Sequence, residues 1–302
     1  MATTTTSRPP AVVDAVATSG PADTVRRRRN SAVATVLLLL GAAYCLVPVL
    51  WVGVAASKSI SELFATFTFS PSTHLFDNIV DLTRYRGGLY WRWMANTALY
   101  AGVGAAVSTF VAAMAGHALA HYTFPGKNLV FNVVLAGVLV PGVILAIPQY
   151  LLLAKFHLTD SYLSVLLPSI LSPYGIYLCR VFAAAAVPSD VLDAALIDGA
   201  GHWRTFTGVG LPMMRTGLVT VFLFQFVAIW NNFLLPFIML GDDHKFPLTV
   251  GLYTLLNRGN TLPALYTLVV TGSLLSIVPL VALFLTLQRY WRVDLISGAV
   301  KA

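Results

Sequence analysis

Polar and apolar residues fall in long blocks along this chain. Six windows contain no Asp, Glu, Lys or Arg: 32–57, 93–116, 128–154, 161–179, 216–241 and 259–288. A helix crosses the hydrocarbon core of a bilayer with about 20 mostly apolar residues. The pattern therefore predicts an all-α integral membrane protein with six transmembrane helices. Pro141 and Pro148 in the third window, and Pro168 and Pro173 in the fourth, predict kinked or tilted helices, because proline removes a backbone donor and clashes with the preceding turn. The carbonyls freed in this way must find partners inside the bundle.

Composition agrees with the pattern. The chain is 57% hydrophobic and 10% charged, whereas an average soluble domain is about 25% charged. So few charges cannot give a protein of this size a water-compatible surface, and the lipid bilayer is the expected solvent. The net charge of +7 then reads as membrane orientation and not as a nucleic-acid footprint, because Lys and Arg collect on the cytoplasmic side. Arg26–Arg29 precede the first window, which predicts a cytoplasmic N-terminus, and six crossings return the C-terminus to the same side. On this topology twelve Lys and Arg residues fall inside and seven outside, of 19 in all. Residues 1–29 form an expected disordered basic tail, since the first 25 are rich in Thr, Pro and Ala with little to bury. Arg26–Arg29 and the following leucines also have the outline of a secretory signal. The apolar run continues past Cys45 through Trp51, too far for a cleaved segment, and Tyr44 is a poor neighbour for a lipidated cysteine. Cys45 and Cys179 both lie in apolar runs, so neither a disulfide framework nor a metal pair is indicated.

One inter-window segment stands apart. Arg180 to Arg215 carries three Arg and three Asp. Pro188, Ser189 and Asp190 mark a helix start, with Ser189 the expected N-cap and Asp190 suited to the positive end of the helix dipole. Leu192 and Leu196 share a face, while Asp190, Asp193 and Ile197 lie around another. Gly199 is placed to end the helix, and a second helix is expected from near His202 towards Leu211 and Pro212. The result is a helix, a glycine joint and a second helix, with Ala194, Ala195 and Ala200 small enough for another surface to approach. Composition and periodicity leave two readings open: a docking element, and an amphipathic helix lying on the membrane surface.

The stretch DAALIDGAGHWRTFTGVGLP, residues 193–212, resembles the EAA loop of the inner-membrane permease subunits of ABC importers. That pattern runs E-A-A, three residues, Gly, nine residues, a hydrophobic residue, one residue, Leu-Pro. Here Asp193, Ala194 and Ala195 are followed by Gly199, Val209, Leu211 and Pro212 at the same spacing. FPGKN (124–128), IPQYLLL (147–153), LTDSYLSVLLP (158–168), WNNFLLP (230–236), FPLTVGL (246–252) and the tail ISGAVKA (296–302) resemble the carbohydrate-importer, MalG-like branch. The resemblance covers residues 30–302 as one permease domain, with the coupling loop at 188–212. There are departures: Asp193 replaces the usual Glu, Thr216 a common proline, and Asp294 a common Gly.

The resemblance implies that the loop inserts into a cleft on a separate cytoplasmic ATPase subunit, through Asp193, Ala194, Ala195, Asp198, Gly199, Ala200, Leu211 and Pro212. It further implies two ATPase copies, a second and different permease chain, an extracellular solute-binding protein, and a place in the bacterial cytoplasmic (inner) membrane. This chain would be a non-catalytic subunit without cofactor, ATP and Mg being held by the ATPase. In keeping with that, no G-x-x-x-x-G-K-[ST] run occurs, and Gly126-Lys127 lacks the upstream glycines. The cargo it implies is a sugar or oligosaccharide; a polyol or glycerophosphodiester is the alternative. A secondary carrier is the rival class, but all twelve acids fall outside the six windows, where a proton relay would need them.

Other candidates carry less. His117 and His121 share a helix face, but no acid or cysteine joins them, and metal sites usually take three or four ligands. Trp230, Asn231 and Asn232 sit in the fifth window, where the amides either bond between helices or line the translocation path; the family likeness of WNNF across different cargoes favours the structural role. Tyr90, Trp91 and Trp93 are expected to form an interfacial aromatic belt. The segment 58–92 is the longest outer loop and a candidate contact for the binding protein.

Overall fold

The computed structural model describes residues 21–299, with side chains described over 32–290. Residues 1–20 of the expected tail and residues 300–302 of the C-terminal stretch lie outside the described residues. Among the described residues all regular structure is helical. The chain divides into two compact units, Met1–Leu50 and Trp51–Ala302. Helix α1 (Pro21–Ala56) is apolar along 32–56, long enough to cross a membrane.

The second unit holds the remaining elements. Short helices α2 (Ile60–Ala65) and α3 (Leu75–Arg84) fill the loop after α1. Asn78 of α3 donates to the carbonyls of Ala56 and Lys58 at 2.8 and 2.9 Å. Lys58 is almost fully buried, and its ammonium donates to the carbonyls of Phe67 and Thr68.

The spans follow. Helix α4 is Leu89–His121, α5 Lys127–Leu139, α6 Gly142–Lys155, α7 Tyr162–Ile170 and α8 Pro173–Ala186. Then come α9 (Ser189–Ile197), α10 (His202–Thr205), α11 (Leu211–Met213), α12 (Arg215–Trp230), α13 (Leu234–Met239), α14 (Leu248–Gly259) and α15 (Leu265–Ala299). Among the described residues four helical stretches are long and apolar enough to cross a membrane, or six when each of two bent pairs is taken as one span. The proline expectations take definite form here. The α5–α6 pair bends by 106°, with Pro141 the N-cap of α6 and Pro148 inside it. Pro173 opens α8 at its first turn, and the Ser172 hydroxyl caps that helix by accepting the N–H of Gly175 at 3.0 Å.

Helix α4 is the centre of the bundle, packing against α7, α8, α12 and α14. Small buried residues such as Ala105, Ala112 and Gly116 let neighbours approach closely. A Cβ on Gly116 would sit 2.6 Å from the backbone nitrogen of Arg180 and from Cys179 Cβ. Residues 241–247 form a strap across the N-terminal half of α4. Asn96 donates to the carbonyls of His244 and Phe246, Trp93 to that of Asp243, and Tyr100 to that of Lys245. Asp160 accepts the N–H groups of Gly241 and Asp242 while Lys245 donates to it. Arg86 pairs with Asp243.

Three expectations are corrected. Tyr90 and Trp93 are not an interfacial belt: they are 0% and 1% exposed, with Tyr90 donating to the carbonyl of Gly272, and only Trp91 faces outward. An aromatic with a polar tip can be buried wherever a carbonyl accepts from it. The fourth span does not stop before Arg180, because α8 runs on to Ala186. The Arg180 guanidinium lies 3.9 Å from the centre of the Phe131 ring, which provides for a cation inside an apolar helix. Finally, Ser189 is the first residue of its helix and not the cap, which is Pro188.

Candidate functional site

The segment between α8 and α12 folds as the helix, joint and helix read from the sequence. Helix α9 is Ser189–Ile197. Gly199 follows at φ +85°, a left-handed conformation that glycine adopts at little cost. Its N–H donates to the carbonyl of Leu196, and that of Ala200 to the carbonyl of Ala195, each at 3.0 Å. These two bonds form a Schellman C-cap. The second helix begins with α10 (His202–Thr205), passes through a π-helical stretch (Phe206–Gly210) and ends as α11 (Leu211–Met213). It meets α12 at a bend of 81°.

Buried residues tie this pair to the membrane helices. Leu192 of α9, Phe206 of the π stretch and Met214 pack in one cluster with Ala112 and Ala113 of α4, Ala183 of α8 and Val187. The Gly210 position is also tight, since a Cβ there would lie 2.8 Å from His117 Cε1. A force on α9–α11 is therefore delivered to α4, α8 and α12 through packed side chains, not through a slack loop.

The outward face carries the residues the sequence singled out. Asp193, Ala194, Asp198, Gly199 and Pro212 are exposed, and Ala195, Ala200 and Leu211 are half-buried. Between them stand apolar side chains that were not assigned a role: Ile197 is 86% and Trp203 60% exposed. They flank the Gly199 joint. The available signal was Ile197 itself, an apolar residue four positions after Asp193 on a helix. Trp230 and its neighbours, by contrast, are dispersed. Trp230 is buried and stacked on Phe226 at 5.4 Å. Asn231 is exposed and its amide donates to the carbonyl of Val227. Only Asn232 borders a cavity. His117 and His121 have ring centres 4.8 Å apart, and among the described residues no three His, Cys, Asp or Glu side chains come together as a metal site.

This geometry can be set beside known proteins. The family of binding-protein-dependent transport system inner membrane components matches residues 108–292. The chain belongs to this family. The permease is 35% identical over 264 residues to the arabinooligosaccharides transport system permease protein AraQ of Halalkalibacterium halodurans, covering 86% of this chain and 92% of that one. It is 31% identical over 216 residues to the diacetylchitobiose uptake system permease protein NgcG of Streptomyces coelicolor, covering 71% and 70% of the two chains. It is 27% identical over 258 residues to the sn-glycerol-3-phosphate transport system permease protein UgpE of Yersinia pestis, covering 84% and 91%. Its fold matches a chain in the crystal structure of a bacterial ABC transporter for the acidic polysaccharide alginate, with a TM-score of 0.75 at 20% identity over 90% of this chain and 98% of that one. Family membership makes the permease a multi-pass inner-membrane transport subunit and not an enzyme. The match includes all of α8–α12 and the part of α4 from residue 108 onward, which holds Ala112 and Ala113.

Proposed function

We propose that this permease is one of two different membrane subunits of an ATP-driven importer that carries a sugar or oligosaccharide. Its cargo is delivered by an extracellular binding protein, and its N- and C-termini face the cytoplasm. Two copies of a separate ATPase bind and hydrolyse ATP with Mg, and one receives α9–α11 of this chain. The observation that carries the reading is the anchored helix pair with Ile197 and Trp203 exposed beside the Gly199 joint. Isolated apolar residues are common on surfaces; what singles these out is a place on a rigid, charged-rimmed projection between two spans. Apolar anchors rimmed by polar groups are what a protein interface uses for affinity. Oligosaccharide cargoes in the names of AraQ and NgcG support the substrate class.

Closure of the ATPase pair would move two docked projections together. The buried Leu192, Phe206 and Met214 would pass that motion to α4, α8 and α12, opening the path to alternate sides. This couples ligands to a two-state element and requires no chemistry from the permease. Co-expression of the permease with its partner chains tests it. ATPase subunits should co-purify with the wild-type chain, and hydrolysis should rise with arabinooligosaccharide-loaded binding protein. A complex that assembles without the ATPase, or uptake that persists without ATP and stops when the proton gradient is collapsed, would overturn the reading.

A further inference from the structure

The cavity bordered by Asn232 has a composition that assigns it a ligand class. It lies at the α5–α6 bend, lined by Gly142 and Gln149, and at the two-residue interruption between α7 and α8, lined by Ser169 and Ser172. Helix α12 closes it with Gln225 and Asn232. Gln225 is ten residues from Arg215 at the start of α12, about 15 Å along the helix axis, which is half of a ~30 Å hydrocarbon core. The cavity is therefore at membrane depth, with a volume of about 490 Å³, within the range of small-molecule sites.

Its polar groups are under-used. The Gln149 side chain is half-buried and makes no hydrogen bond among the described residues. Asn232 accepts the N–H of Leu235 at 3.4 Å, and among the described residues its own amide N–H groups donate to none. Gln225 donates to the Ser172 hydroxyl, which leaves its carbonyl oxygen open. Gly175 makes room for that amide, since a Cβ there would fall 2.8 Å from Gln225 Nε2. Unpartnered amides at membrane depth are costly unless water or a ligand meets them.

We infer that Gln149, Gln225 and Asn232 form this chain's contact point for a neutral, hydroxyl-rich cargo in transit. Each amide presents a donor beside an acceptor, and each sugar hydroxyl needs both. No charged side chain lines the cavity, so a phosphate or carboxylate would be desolvated there without a counter-charge. Val143, Ala146 and Ala228 supply the apolar wall for the ring faces. The assignment rests on the carbohydrate-import reading and narrows it, separating a neutral oligosaccharide from an anionic cargo.

The complete complex in proteoliposomes tests it, with arabinotriose, lactose and diacetylchitobiose as neutral probes and sn-glycerol-3-phosphate as the anionic one. Wild type should import at least one neutral probe. Gln149→Leu and Gln225→Leu should each slow that import about tenfold, the scale of one lost hydrogen bond in a desolvated site. Gln149 makes no hydrogen bond among the described residues that the change would remove, so the yield of complex through a tag on the ATPase should not change for Gln149→Leu. A second measurement is independent of transport. In a Cys45→Ser background, labelling of Ala228→Cys by a small thiol reagent should slow about tenfold with the imported probe at saturation. Wild-type import together with unaltered import by Gln149→Leu, or labelling that the probe does not slow, overturns the site and leaves the import reading standing. Wild-type complex that moves only sn-glycerol-3-phosphate, or none of the probes, overturns both.

Discussion

Replacing Gly199 by Ala isolates the joint from the rest of the coupling loop. Gly199 stands at φ +85°, and a Cβ added there meets nothing within 4 Å. The cost is thus purely local: for an L-residue the left-handed conformation is about 1–2 kcal/mol unfavourable. Leu192 and Phe206 still hold the two helices to the bundle, so the chain should remain folded while the joint between them is penalised. If docking needs the observed angle, the competent share of molecules falls by about 5–30-fold. Gly201 is the matched control. It too has open space around a Cβ, but its φ of −72° and ψ of 163° suit any residue. Titration of purified ATPase subunit onto permease-containing membranes should show weakening of about 5–30-fold for Gly199→Ala and almost none for Gly201→Ala. Gly199→Asp should act in the same direction, uncoupling hydrolysis from transport while leaving membrane insertion intact. Equal effects of the two alanines, or wild-type affinity in Gly199→Ala, would refute the role given to the joint.

Further outcomes follow from the packing and the strap. Gly116→Ala should lower the thermal midpoint in detergent, because its Cβ would collide with α8 backbone at 2.6 Å; overpacking of this kind costs about 1–3 kcal/mol, and an unchanged midpoint would contradict the α4–α8 crossing. Asp160 is pushed up by partial burial but held below the ordinary carboxylate range overall, by the N–H groups of Asp242 and Gly241 and by Lys245. A carboxylate with a lowered folded-state pKa contributes stability above its unfolded value and loses it as pH falls through the folded one. Hydrogen exchange should therefore show Gly241 and Asp242 protected at neutral pH and released at pH below the usual carboxylate range, and Asp160→Ala should remove that protection at neutral pH.

Much of this architecture was legible because a bilayer writes a coarse code. A window without charge reveals a span regardless of its partners, and Pro141 and Pro173 marked where new helices start, whereas Pro148 and Pro168 stayed inside theirs. The Asp193-to-Pro212 spacing located the helix pair between α8 and α12, and Gly199 its joint. What was hidden depended on faces and partners. Hydropathy does not say whether Tyr90 and Trp93 point outward, and both turned inward once carbonyls of Gly272 and Asp243 accepted from them. Arg180 could remain in a helix because Phe131 lies beneath it. A search for charge also passes over neutral amides. Gln149 and Gln225 lie inside the third and fifth windows, and only the convergence of two helix breaks brings them to one cavity. The exposed Ile197 and Trp203 were lost for the opposite reason, since apolar residues in an apolar chain attract no notice until the fold leaves them uncovered.

The proposed docking of α9–α11 on a separate ATPase would bring Ile197 against that subunit. Site-directed cross-linking tests it most directly: Ile197→Cys, in a Cys45→Ser background, carrying a short photoactivatable thiol reagent in the assembled complex. Phe224→Cys on the exposed side of α12 serves as the comparison. A docked helix pair gives a cross-linked product containing the ATPase subunit from position 197 and none from position 224. No ATPase adduct at position 197, or equal adducts from both positions, would contradict it.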